Sequence, residues 1–166
     1  MNQWINSGID KASWPSFAIW FVVLICFSFW AFNSPSPWTT ALAAGNGTLP
    51  EIQTGFPPIE PQRSLDLLGD AKGDYLLWQV FDIPYAIMNL VVISIAMALG
   101  LRTTRLGRAP VKYLLALPII YLFCEIVENS LVALFAMGKF ADTEPVVMIQ
   151  QLATTIKMAS GEEINP

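Results

Sequence analysis

Histidine is absent from this 166-residue sequence, and charge is scarce: 13% of residues are Asp, Glu, Lys or Arg, against 54% hydrophobic. The missing imidazole excludes a Ser-His-Asp nucleophile set, His-ligated metal, and axial His ligation of haem or chlorophyll-type pigment. Only two cysteines occur, Cys26 and Cys124, and each sits in an apolar run. They read as small buried hydrophobes, not as a disulfide framework or a metal site. There is no Walker loop and no G-x-G-x-x-G turn. No cofactor is implied. The net charge of −4 argues against nucleic acid as a partner, because that binding needs a basic surface neutralising several phosphates.

What the chain has instead is apolar length. Its charged fraction is about half the ~25% of an ordinary soluble domain, and its apolar fraction exceeds the usual range of roughly 45–50%. A soluble fold of this size would lack the polar residues to cover its surface, so lipid is the simpler solvent. The length fits a single membrane domain over residues 1–166.

Four segments are long and apolar enough to read as helices. Helix 14–33 holds no charged residue between Ser16 and Phe32; Ser13 suits its N-cap and Pro15 its first turn. Trp14, Trp20, Trp30 and Trp38 fall near its ends, as interfacial aromatics do. A cleaved signal peptide ending at Ala41-Leu42-Ala43-Ala44 is the competing reading, disfavoured because the apolar run is long for one. Helix 75–101 carries a single charge, Asp82, and Pro84 is expected to kink it. Helix 113–137 contains Pro118, Glu125 and Glu128. Helix 144–159 spans only ~22 Å over its apolar part, which makes it a short, tilted or shallow fourth helix. The expected class is all-α: a polytopic bundle of three to four membrane helices.

Between the first two helices, residues 34–74 are proline-rich and acidic, with Glu51, Glu60, Asp66, Asp70 and Asp74 against Arg63 and Lys72. This predicts an irregular segment containing one short amphipathic helix, 62–69, stopped by Gly69. Asn46-Gly47-Thr48 matches a glycosylation sequon, a pattern common by chance. Between the second and third helices, loop 102–112 concentrates Arg102, Arg105, Arg108 and Lys112 without an acid. Basic loops stay cytoplasmic, so the N-terminus and loop 102–112 are expected inside and segment 34–74 outside. The same four side chains are candidates for lipid head groups, although topology alone accounts for them.

Ionisable residues inside a membrane are costly and face protein or water, so each is a candidate site. On the second helix Trp78, Asp82, Tyr85 and Asn89 share a stripe. On the third, Tyr121, Glu125, Glu128, Asn129 and Val132 share another, and on the last Gln150, Thr154 and Lys157 form a polar row. Counting helix rise puts Asp82 level with Glu128 and brings Glu125 near Lys157. The candidate ion- or ligand-binding set is therefore Asp82, Tyr85, Glu125, Glu128, Asn129 and Lys157. The leading reading is that Glu125–Lys157 and Asp82–Tyr85–Asn129 are structural contacts fixing helix register. An excess of acid over base keeps a proton, cation or head-group site in play. Catalysis ranks last, since Glu125 and Glu128 lie on one helix rather than across a cleft.

Several short pieces resemble a family of small bacterial inner-membrane proteins with about four helices and no assigned function. They are Gln62-Arg63-Ser64-Leu65-Asp66-Leu67-Leu68-Gly69, Tyr75 with Phe81-Asp82-Ile83-Pro84-Tyr85, Leu117-Pro118, Glu125-Ile126-Val127-Glu128-Asn129 and Ala153-Thr154-Thr155-Ile156-Lys157. The resemblance covers residues 62–157 and implies architecture and residue choice only. Members commonly have aspartate where Glu125 stands, and a longer last helix. The functional expectation is a non-enzymatic accessory or structural subunit of a larger membrane complex, with membrane lipids and other subunits as partners. A small transporter or channel using the carboxylates is the alternative, and an intramembrane lipid-modifying enzyme the third class.

Overall fold

The computed structural model describes residues 10–33, 35–47, 49–50, 61–103, 114, 116–139 and 144–161, with the backbone alone at 61–63, 103, 144 and 157–161. The chain is all-helical, with no strand among the described residues. Its elements are α1 (Trp14–Asn33), α2 (Pro37–Ala44), α3 (Pro61–Leu67), a 3-10 turn Gly69–Ala71, α4 (Lys72–Thr103), α5 (Leu117–Ala136) and α6 (Glu144–Gly161). Three stretches, Trp14–Ala44, Gly69–Arg102 and Leu117–Ala136, are long and apolar enough to cross a membrane.

Local chemistry sets most of the ends. The Ser13 side chain accepts from Ser16 N at 3.3 Å and so caps α1, with Trp14 and Pro15 following in the first turn. At α2, Ser36 Oγ accepts from Thr39 N (3.2 Å) while Thr39 Oγ1 accepts from Ser36 N (2.9 Å), a reciprocal cap. Ser36 Oγ also donates to Ala31 O, which joins the end of α1 to the start of α2. α2 closes with Asn46 at φ 51 and Gly47 N donating to Leu42 O, and α5 closes with Gly138 at φ 63 and Lys139 N donating to Leu134 O. Both are left-handed stops that occupy the last free carbonyls.

Several boundaries differ from expectation; the smallest differences are the ends of α4 at Thr103, α5 at Ala136 and α6 at Gly161, each within two residues. Segment 34–74 is not merely irregular, because α2 occupies eight residues of it; Pro37 sits in a first turn, where a missing N–H costs nothing. The short helix runs Pro61–Leu67 rather than 62–69, although Gly69 does take a positive φ of 50°. α4 starts three residues early, at Lys72, and continues through Pro84. α5 begins at Leu117 rather than 113, so that Pro118 falls in its first turn instead of its interior.

The long helices stand in the order α1, α4, α5, α6, each packed against the next. α5 buries Pro118, Tyr121, Glu125, Glu128, Val132 and Phe135, a 3-4-3-4-3 alternation that keeps one seam on one face. α6 answers with buried Val147, Gln150 and Thr154. At one end of the bundle the described parts of the segment between α1 and α4 fold over as a cap. Ala41, Leu49, Leu65 and Leu68 pack with Tyr75, Val132, Phe135, Ala136 and Val147 in one cluster. At the other end Ala12 packs with Ala98, Leu99 and Leu101, and Arg102 donates from Nη1 to Ala12 O. The start of α1 and the end of α4 therefore share one end of the bundle, and the described parts of segment 35–71 occupy the other.

Candidate functional site

Helix α4 turns two faces to two neighbours. Toward α1 and α2 it presents rings: Trp78 lies 5.9 Å from Phe32 and 5.2 Å from Trp38, Phe81 lies 5.3 Å from Trp30, and Tyr85 stacks on Phe27 at 5.8 Å. Toward α5 it presents Asp82, whose Oδ2 accepts from Asn129 Nδ2 at 2.9 Å. This divides the stripe that the spacing joins. Residues 78, 82 and 85 lie within about 60° of one another on a helix wheel, a sector wide enough to straddle two neighbours. Tyr85 is accordingly a packing residue against α1, with Phe32 as a second ring partner at 5.8 Å. Asn89 turns back on its own helix, donating to Tyr85 O at 3.2 Å.

The α5 stripe is inside along its whole length: Tyr121, Glu125, Glu128, Asn129 and Val132 are all buried. Glu128 is completely enclosed. Its Oε1 accepts from Thr154 Oγ1 in a close contact and from Gln150 Nε2 at 3.4 Å. Gln150 Nε2 also donates to Thr154 Oγ1 at 3.1 Å. The three side chains thus form a ring of hydrogen bonds across the α5–α6 seam. One residue on, Asn129 ties α5 to α4 through Asp82. The two adjacent side chains of α5 work in opposite directions, so a single polar layer joins three helices.

Asp82, Glu128 and Asn129 are therefore brought together in one layer, as the helix-rise count requires. Glu125 is buried one turn away along α5. The Glu125–Lys157 pair lies outside the described residues, because it depends on the Lys157 side chain. Arg105, Arg108 and Lys112 also lie outside them. Arg102, the remaining basic candidate, is exposed and spends a guanidinium nitrogen on the Ala12 carbonyl. No set of three or more acidic or cysteine side chains converges on a metal position among the described residues.

On the long helices two buried polar residues stand off the stripes. Gln79 and Gln151 are each at most 6% exposed. Gln79 precedes Asp82 by three residues and Gln151 precedes Thr154 by three, so a shared helix face with a polar position is the signal that could find them. The chain matches no family model, no curated protein and no solved structure.

Proposed function

We propose that this protein is a non-enzymatic integral membrane protein that serves as a structural or accessory subunit of a larger membrane complex. The observation that carries the membrane part is inverted polarity. Asp82, Glu125, Glu128, Asn129, Gln150 and Thr154 lie inside, while outward positions on α6 include Met148, Ile149, Leu152 and Ile156, with Thr155 the polar member among its described side chains. On α5 the outward positions include Ile119, Ile120, Phe123 and Ile126. Such surfaces are costly against water and cost nothing against acyl chains.

The non-enzymatic part is supported by how the carboxylates are used. Asp82 and Glu128 accept from side chains of neighbouring helices and are enclosed there, so they hold the bundle together. Helix α1 supports the subunit reading: only Ala31 is buried along its 20 residues, which leaves most of an aromatic helix for lipid or a neighbouring subunit. The described part of segment 34–74 supports it less, because it caps its own bundle.

The family resemblance and the concentration of Arg102, Arg105, Arg108 and Lys112 favour a bacterial inner membrane with that loop and the N-terminus in the cytoplasm. Membrane lipids are then the constant partners. The test is extraction of the native protein in mild detergent, followed by sizing and mass spectrometry. A subunit co-purifies with defined proteins in fixed stoichiometry, and a protein recovered alone as a monomer would overturn the assignment. Proton or cation flux in liposomes that is lost in Glu128→Gln would establish the transporter instead.

A further inference from the structure

A groove of about 320 Å³ runs between α4 and α5, lined by Leu76, Gln79, Val80, Ile83, Asn129, Ser130, Ala133 and Met137. It lies on the polar layer, because Asn129 belongs to both. With Asp82 ionised, the Asn129 amide has one orientation, Nδ2 toward the carboxylate. Oδ1 is thereby committed to the other direction, and it has no hydrogen-bond partner among the described residues although Asn129 is only 3% exposed. A buried carbonyl oxygen in that state is stabilised by any donor that reaches it.

We infer that this groove is a binding site for a neutral lipid bearing a hydroxyl group, with the hydroxyl donating to Asn129 Oδ1. Three properties select that class. The orphan atom is an acceptor, which calls for a donor on the ligand. None of the lining side chains is ionisable, and Asn129 sits about 10 Å inside the end of α5, a depth at which an ammonium head group is penalised. The volume lies at the small end of the ligand-pocket range of roughly 300–1,000 Å³, too little for a partner helix and enough for a single chain segment. Entry is from the lipid side, where Val80, Ile83 and Met137 are exposed. Rotation of these edge side chains opens the way to Oδ1, which its neighbours cover.

The inference rests on the membrane reading above, and the experiment separates the two. The protein is reconstituted in lipid nanodiscs after a carbonate wash has shown whether it stays in the membrane; release by the wash defeats the membrane reading itself. The retained protein is then photolabelled with a diazirine-tagged hexadecanol and the labelled peptides are mapped. Labelling is expected to concentrate on residues 76–83 and 129–137. Free hexadecanol should compete about three- to tenfold better than its methyl ether, the size of one hydrogen bond in a membrane. Asn129→Leu should abolish that discrimination. Because Asn129 also holds Asp82, Ala133→Phe serves as a second variant: it fills the groove without touching the polar layer and should reduce labelling at least tenfold. Labelling spread evenly over α1 and the groove, or equal competition by alcohol and ether, would overturn the site.

Discussion

On its α1 side, α4 meets its neighbour through Trp78, Phe81 and Tyr85; on its α5 side it does so through a carboxylate and an amide. The first seam is broad and tolerant. Ring pairs contribute through many small dispersion contacts, each aromatic pair adding about 0.5–1.5 kcal/mol, and a lost ring is partly replaced by an acyl chain. The second seam is narrow and exacting. Its partners are single atoms, and no lipid tail can substitute for the donor to Asp82 or Glu128. In the membrane setting proposed above, lipid tails compete for apolar packing, and interhelical hydrogen bonds add selectivity for the neighbour. Specificity therefore resides in α4–α5–α6, and α1 is the helix most free to repack.

That contrast can be broken from the polar side first. Asn129→Leu leaves the Asp82 carboxylate buried without its donor, and a loss of about 3 kcal/mol is expected in thermal or denaturant unfolding in detergent. Replacing Asp82 by Leu in the same chain should recover most of it, because an apolar pair removes the stranded charge. Failure of the double replacement to recover stability would show that the carboxylate does more than join helices. Thr154→Val comes next. It removes one donor to Glu128 while Gln150 remains, so a drop of about 1 kcal/mol is expected by the same measurement. The aromatic seam should respond least. Phe27→Leu, which deletes the stack on Tyr85, is expected to cost about 0.5–1 kcal/mol, and Tyr85→Phe less than about 0.5 kcal/mol. A larger penalty for Tyr85→Phe than for Phe27→Leu would return the Tyr85 hydroxyl to the polar layer.

The parts of this arrangement that were readable beforehand are those governed by one helix at a time. The 3-4 alternation from Tyr121 to Val132 marks a buried face whatever lies opposite, and residue rise alone puts Asp82 level with Glu128. Gly69 announces a left-handed stop because few other residues adopt that conformation cheaply. What failed required knowledge of a second helix. Tyr85 and Asp82 share a sector of α4, and only the positions of α1 and α5 decide that they part. Pro37 reads as a helix breaker until Ser36 is seen capping the turn that follows it. Gln79 and Gln151 each stand three residues before a polar stripe position, but a neutral amide at that spacing suits a surface equally well, and only the neighbouring helices enclose it.

The cap over one end of the bundle has a consequence for biogenesis. Ala41, Leu49, Leu65 and Leu68 leave the ribosome early, yet the surface they cover is made from Val132, Phe135, Ala136 and Val147, which are synthesised near the end. That surface does not exist until α5 and α6 have paired. The early segment can rest on α4 through Trp38 and Trp78, but its buried cluster stays incomplete while more than half the chain is still to be made. Completion of the cap therefore depends on the pairing of α5 with α6, and it reports that these two helices have met beside α4.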